Sequence, residues 1–93
     1  GLLFLRKGNW NGKQLISQSW IEQMTTPCPI KADYGFLWWL NKFPGDPQTT
    51  FAARGAGGNE VWVDPNNDLV VVLEWAVNHN EVYKRVRAAV IKP

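Results

Sequence analysis

The 93-residue sequence predicts an α+β domain: an antiparallel sheet of three to four strands with a C-terminal hairpin, two short N-terminal helices, and a C-terminal helix packed on the sheet. Three observations predict it. Residues 69–75 form a near-continuous, largely β-branched run, which is a strand signal. Ahead of it stands Asp64-Pro65-Asn66-Asn67-Asp68, a turn, because proline fixes φ while Asn and Asp tolerate tight geometry. That turn joins the run to a strand over residues 59–63, where Val61 and Val63 face one way and Glu60 and Trp62 the other. Finally, Val82, Val86 and Val90 repeat every four residues with Ala89 widening the stripe, and Lys84, Arg85, Arg87 and Lys92 fill the remaining face. That is an amphipathic helix.

The other elements follow in chain order. Residues 2–6 read as the end of a helix stopped at Gly8, with Asn9 and Asn11-Gly12 marking turns. No capping residue precedes this helix, so it is entered in mid-course and the sequence reads as cut from a longer chain. Ser17 or Ser19 caps a second helix over residues 20–24; Ser19 with Glu22 fits a capping box, and Pro27 and Pro29 end it. Residues 34–41 read as a strand with Tyr34, Phe36, Trp38 and Leu40 on one face and Leu37 and Trp39 on the other. Both faces are apolar, which places the strand inside a sheet covered on both sides. Pro44-Gly45-Asp46-Pro47 is a loop, and residues 49–54 resume an extended course. The order is helix, helix, strand, strand, hairpin, helix, with neither internal repeats nor low-complexity tracts.

Composition narrows the function. A hydrophobic share of 45% against 19% charged residues suits a globular chain and is too apolar for disorder. A net charge of +2 is too weak for nucleic-acid capture, which needs a concentrated basic surface. The opening apolar stretch is four residues long, against about 20 needed to span a bilayer. The partners expected are therefore neither nucleic acid nor membrane. The lone Cys28 excludes an internal disulfide. Among the six tryptophans, Trp10 in a turn is the natural exposed indole and the others are expected in the core.

Catalytic residues are scarce. Nucleophilic chemistry needs a Ser, Thr or Cys beside a base. Ser17 and Ser19 occupy cap positions, and neither begins a Ser-x-x-Lys pair, since Trp20 and Glu22 stand three residues on. His79, the single histidine, lies in an Asn-rich turn and is expected to be solvated there. Cys28 has no cationic neighbour in sequence to activate it. Glu60, Asp64, Asp68 and Glu74 read as hairpin-surface and turn residues, and no His/Cys spacing suits a metal, so neither metal nor cofactor is expected. The distinctive segment is Arg54-Gly55-Ala56-Gly57-Gly58-Asn59, with three glycines where a strand should be running. Either something approaches its backbone closely, such as an oxyanion or an extended ligand, or the glycines form a bulge or tight bend.

Several stretches carry a family resemblance. Residues 51–72, from Phe51-Ala52-Ala53-Arg54-Gly55-Ala56-Gly57-Gly58-Asn59 through Asp64-Pro65-Asn66-Asn67-Asp68 to Leu69-Val70-Val71-Val72, resemble the closing hairpin of the β-lactamase-related serine hydrolases. That superfamily holds class C β-lactamases, penicillin-binding-protein-like esterases and 6-aminohexanoate-dimer hydrolases. Gly12-Lys13-Gln14-Leu15-Ile16-Ser17 with Trp20-Ile21 and Met24 resembles the preceding segment, and Tyr34-Gly35-Phe36-Leu37-Trp38-Trp39 its Tyr-Gly-aromatic strand. The resemblance implies that residues 1–93 are one partial domain, the C-terminal part of a serine hydrolase fold. It places the nucleophile in a Ser-x-x-Lys motif outside the matched stretch. The family's Lys/His-x-Gly triplet falls on Ala53-Arg54-Gly55, making the Ala56 N–H the oxyanion donor and Gly55, Gly57, Gly58 and Asn59 the substrate edge. Ala53 in place of Lys or His departs from the β-lactamase pattern and points toward an esterase- or amidase-like relative.

The resemblance thus implies a small-molecule ester or amide substrate for the parent enzyme, and an N-terminal lobe or a second copy to cover apolar faces. The alternative is a stand-alone, non-catalytic oligomeric or binding protein derived from a truncated hydrolase gene.

Overall fold

The computed structural model describes residues 1–40 and 49–90. It contains helix α1 (Leu2–Leu5), strands β1 (Asn9–Trp10) and β2 (Lys13–Gln14), helix α2 (Gln18–Met24), strands β3 (Trp39–Leu40), β4 (Phe51–Gly55), β5 (Asn59–Asp64) and β6 (Leu69–Leu73), and helix α3 (His79–Ala88). Strands β3-β4-β5-β6 form one antiparallel sheet in chain order, and β1-β2 a separate two-stranded ribbon. The predicted α+β class, with its C-terminal hairpin and C-terminal helix, is the class observed. The Pro44–Pro47 loop, the end of the 34–41 strand at Asn41, and Lys92 lie outside the described residues.

Local chemistry explains each element. Asn11-Gly12 does more than turn the chain: both residues have positive φ (52° and 82°), as a two-residue type I′ loop requires, so they close the β1-β2 hairpin. Ser17 caps α2 by accepting the Trp20 N–H at 3.2 Å, and Ser19 falls inside the helix. Between β5 and β6, Asp64 is buried yet satisfied, because its two carboxylate oxygens accept from the Asn66 N–H and from Asn67 Nδ2 (3.1 and 2.7 Å). It caps a 3-10 turn at Pro65–Asn67, and Asp68 follows in the left-handed region. Asp64 is therefore a turn-former held in the interior, not a surface residue.

The strand expected over residues 34–41 is much shorter. Leu37 has a φ of 69°, Gly35 N–H donates to the Trp38 carbonyl, and Tyr34 pairs with Trp39 in an isolated bridge. The chain therefore doubles back at residues 35–38, and β3 is an edge strand of the sheet. Alternating apolar residues supplied the strand pattern, but Phe36 and Leu37 occupy the turn and are exposed.

The sheet separates two apolar clusters. One face carries Trp38, Leu40, Phe51 and Val63, with Phe4, Leu5, Met24, Ala53, Val61 and Val70 against them. On the other, Ala52, Trp62 and Tyr83 are buried, with Leu69, Val71 and Leu73 around them. Helix α3 docks through Tyr83, whose ring stacks on Trp62 at 4.4 Å and 18°. Its inward face is centred on the buried Tyr83, with His79, Val82, Val86 and Val90 half-buried around it, and Ala89 is exposed. Tryptophans distribute differently from expectation too: Trp38 and Trp62 are buried and Trp39 half-buried, while Trp20 and Trp75 join Trp10 at the surface.

If Tyr83 anchors the helix, Tyr83→Ala should lower the unfolding free energy by about 3–5 kcal/mol, as for other buried aromatics. Lys84→Ala, on the exposed side of the same turn, should stay within about 0.5 kcal/mol of the parent. Urea denaturation of the two variants checks both.

Candidate functional site

The glycine-rich segment is a hairpin loop. Strands β4 and β5 pair in the register Arg54↔Glu60 and Gly55↔Asn59, leaving Ala56, Gly57 and Gly58 as the connection. Gly57 and Gly58 both have positive φ (84° and 80°), a conformation an L side chain rarely adopts. The strand therefore does not run through the glycines, which form a tight bend, one of the two arrangements the sequence left open.

Close backbone approach is also present, and the chain itself makes it. After β6, the segment at Trp75 and Ala76 returns across the turn. A Cβ on Gly57 would sit 2.1 Å from the Trp75 ring, and one on Gly58 2.1 Å from the Ala76 carbonyl. The Ala76 N–H donates to the Gly58 carbonyl at 3.2 Å. Asn59 ties both segments together: its Oδ1 accepts the Trp75 N–H (3.0 Å) and its Nδ2 donates to the Ala56 carbonyl (2.9 Å). By contrast, a Cβ on Gly55 would meet only ordinary contacts with Asn59, and Ala56 is exposed.

Beneath the turn lies a charged chain that sequence reasoning missed. Glu60, read above as a hairpin-surface residue, is 4% exposed. Its Oε1 accepts from Arg54 Nε at 3.1 Å, and its Oε2 lies 2.7 Å from His79 Nδ1. The other ring nitrogen, Nε2, sits 3.1 Å from the Gly58 carbonyl and 3.0 Å from the Ala76 carbonyl. Carbonyls only accept, so Nε2 carries a proton and donates to both. The Nδ1 contact with Glu60 likewise contains a hydrogen. Both ring nitrogens are therefore engaged, one by the Glu60 carboxylate and the other by two main-chain carbonyls. His79 is thus a clasp joining β5, the glycine turn and the start of α3, not the solvated turn residue expected. The cross-strand register Arg54↔Glu60 was the available clue, since it puts opposite charges on the α3 face.

Serine chemistry is equally absent among the described contacts. Ser17 Oγ holds the Trp20 N–H and lies 3.4 Å from Ser19 Oγ. Among the described residues no group of three His, Cys, Asp or Glu side chains is placed to hold a metal ion, and no helix is long and apolar enough to cross a membrane.

Two hollows bear on the site. A shallow groove of about 370 Å³ crosses β4, β5 and β6 beside the turn; Gly55, Asn59, Arg54, Val72 and Glu74 help to line it. A larger cavity of about 670 Å³ lies between α1, α2 and the ends of β3 and β4, where Phe4, Ile21, Leu40 and Phe51 contribute. No residue of the glycine turn lines that second cavity.

Comparison with known proteins supports the architecture. A solved structure described as "Putative 6-aminohexanoate-dimer hydrolase from Bacillus anthracis" superposes with a TM-score of 0.65 at 24% identity, over 94% of this chain and 25% of that one. At this identity the likeness is one of fold: the chain has the α+β architecture found in part of that structure. It spans a quarter of that protein's length. No protein-family model matches the chain, and no curated protein matches it.

The two turn glycines should differ in their tolerance of a methyl group. Gly57→Ala meets a ring that is 76% exposed and free to swing aside, so its cost should be the left-handed backbone alone, about 1–2 kcal/mol. Gly58→Ala meets the Ala76 backbone carbonyl as well and should cost more. Thermal or chemical unfolding of both variants ranks them.

Proposed function

We propose that this chain is the oxyanion-side portion of a β-lactamase-like serine hydrolase acting on a small ester or amide, with the Ser-x-x-Lys nucleophile supplied by a part of the enzyme outside these 93 residues. The observation that carries this reading is the fold likeness over 94% of the chain, combined with the family-like stretches in their family order. The groove beside the turn adds support, because Gly55 and Asn59 line it.

In this reading the Ala56 N–H is the donor to the developing oxyanion, and Gly55 leaves room for substrate beside it. Gly57, Gly58 and Asn59 serve by fixing the turn: the Asn59 amide holds the Ala56 carbonyl, and His79 holds the Gly58 carbonyl. Main-chain donors act without side chains, which accounts for so small a set of residues at the loop. The departure at Ala53 favours an esterase or amidase over a β-lactamase. The opposing reading, a stand-alone non-catalytic protein, draws on the apolar surface exposed at Val72, Trp75 and Val77.

Activity measurements distinguish the two. The 93-residue polypeptide should not hydrolyse p-nitrophenyl esters or nitrocefin above background, nor react with a fluorophosphonate probe, because Ser17 and Ser19 lack a base. Stoichiometric labelling of either serine would refute this. In a longer polypeptide that carries Ser-x-x-Lys, Ala56→Pro should lower turnover about 100- to 1,000-fold by deleting one donor. Ala56→Ser, which keeps the N–H, should retain most activity. Equal loss in both variants, with folding intact, would remove Ala56 from the site.

A further inference from the structure

The stretch that leads from β6 into α3 has an unusual backbone. Trp75 and Asn78, neither of them glycine, both have positive φ (52° and 58°). An L residue adopts that conformation at a cost, smallest for Asn, and it persists where the surroundings impose it. Its outcome is to bring the chain back to the glycine turn and deliver His79 as the first residue of α3. Helical side chains lean toward the N-terminus. From this position the ring therefore reaches back to the Ala76 carbonyl and across to the Gly58 carbonyl (3.0 and 3.1 Å). One turn later the Tyr83 ring stands edge-on to it at 6.1 Å.

We propose that His79 is a positioning residue for the Ala56 N–H, and that it acts through its Nε2 hydrogen rather than through its contact with Glu60. The proposal rests on the hydrolase reading, in which that N–H meets the developing oxyanion. Ala56 stands between Arg54, two residues before it, and Gly58, two residues after it. Arg54 Nε donates to Glu60 Oε1 at 3.1 Å, Glu60 Oε2 lies 2.7 Å from His79 Nδ1, and Nε2 donates to the Gly58 carbonyl. One chain of contacts thus joins the leg of the turn before Ala56 to the leg after it.

The two ring nitrogens differ in what they hold. Nδ1 meets a carboxylate whose side chain is 2% exposed, and this contact stabilises the fold. Glu60 does not need it for its place, because strand register already sets it opposite Arg54. Nε2 is the ring atom that touches the turn. Asn59 holds the Ala56 carbonyl, so without Nε2 the Gly58 carbonyl keeps only the Ala76 N–H, at 3.2 Å. The far leg then loses the donor that ties it to both segments.

Glutamine and asparagine separate the two nitrogens. A Gln amide can place an N–H where Nε2 stands, whereas an Asn amide reaches only the position of Nδ1. His79→Gln should therefore keep the turn, and His79→Asn should free it while still meeting Glu60. In the 93-residue chain, nitrogen-15 relaxation of the Ala56, Gly57 and Gly58 amides reads this directly. Order parameters should lie near about 0.85 in the parent and in His79→Gln, and below about 0.6 in His79→Asn. The β5 and β6 amides should be unchanged in all three. In a longer polypeptide carrying Ser-x-x-Lys, His79→Asn should lower kcat about 10- to 100-fold with KM little changed, as expected when a transition-state contact is misplaced. His79→Gln should recover most of that loss. An ordered turn in His79→Asn overturns the proposal, as does equal loss of order in both variants with the sheet intact. If Ala56→Pro lowers turnover and His79→Asn does not, the proposal fails and the hydrolase reading stands. If the turn loosens but neither substitution changes turnover, the proposal falls together with the assignment of Ala56 to the oxyanion.

Discussion

The stack of Tyr83 on Trp62 holds the C-terminal helix to the sheet, and much of the remaining arrangement depends on it. Trp62 lies in the central strand pair, between Ala52 on β4 and Val71 on β6. A small residue at 52 leaves the indole room to lie flat, and the ring then offers its face to Tyr83 while Arg87 approaches at 5.9 Å. Tyr83 is the buried residue of α3, so the helix is fixed chiefly at that point. One turn earlier the same face presents His79 to Glu60. The aromatic stack sets the height and rotation of α3, and the His79–Glu60 contact then sets where its first turn meets the glycine loop.

How much of this was legible in the sequence depended on whether the cause was local. The β5-β6 hairpin could be read because Pro65, Asn66, Asn67 and Asp68 dictate a turn through their own backbone preferences, and the valines beyond it have few alternatives to a strand. The last helix is legible in its valine stripe, which is half-buried, but not in its anchor, because the Tyr83 ring finds its partner only when Trp62 arrives from another element. The 34–41 stretch failed for a related reason. Alternating aromatics mimic a strand, yet a left-handed Leu37 breaks it, and nothing in the residue type signals that conformation. The glycine loop was recognised as unusual from composition, while the identity of its close neighbour was hidden, because Trp75 and Ala76 approach only through the return of the chain after β6. Asn11-Gly12 carried a full hairpin signal that was read as a turn alone.

The glycine loop is held almost entirely through its main chain. Its shape is specified by two positive-φ glycines, one bridging asparagine and a histidine clasp, all acting on main-chain carbonyls and N–H groups.

Strand order β3-β4-β5-β6 matches chain order. Each pairing therefore joins segments that are already neighbours along the polypeptide, and the β4-β5 and β5-β6 closures span only a few residues. Loop-closure entropy is small for such connections, and chains dominated by short-range contacts tend to fold rapidly. The meander can assemble as a nascent unit, strand by strand in the order of synthesis, without waiting for a remote segment to return.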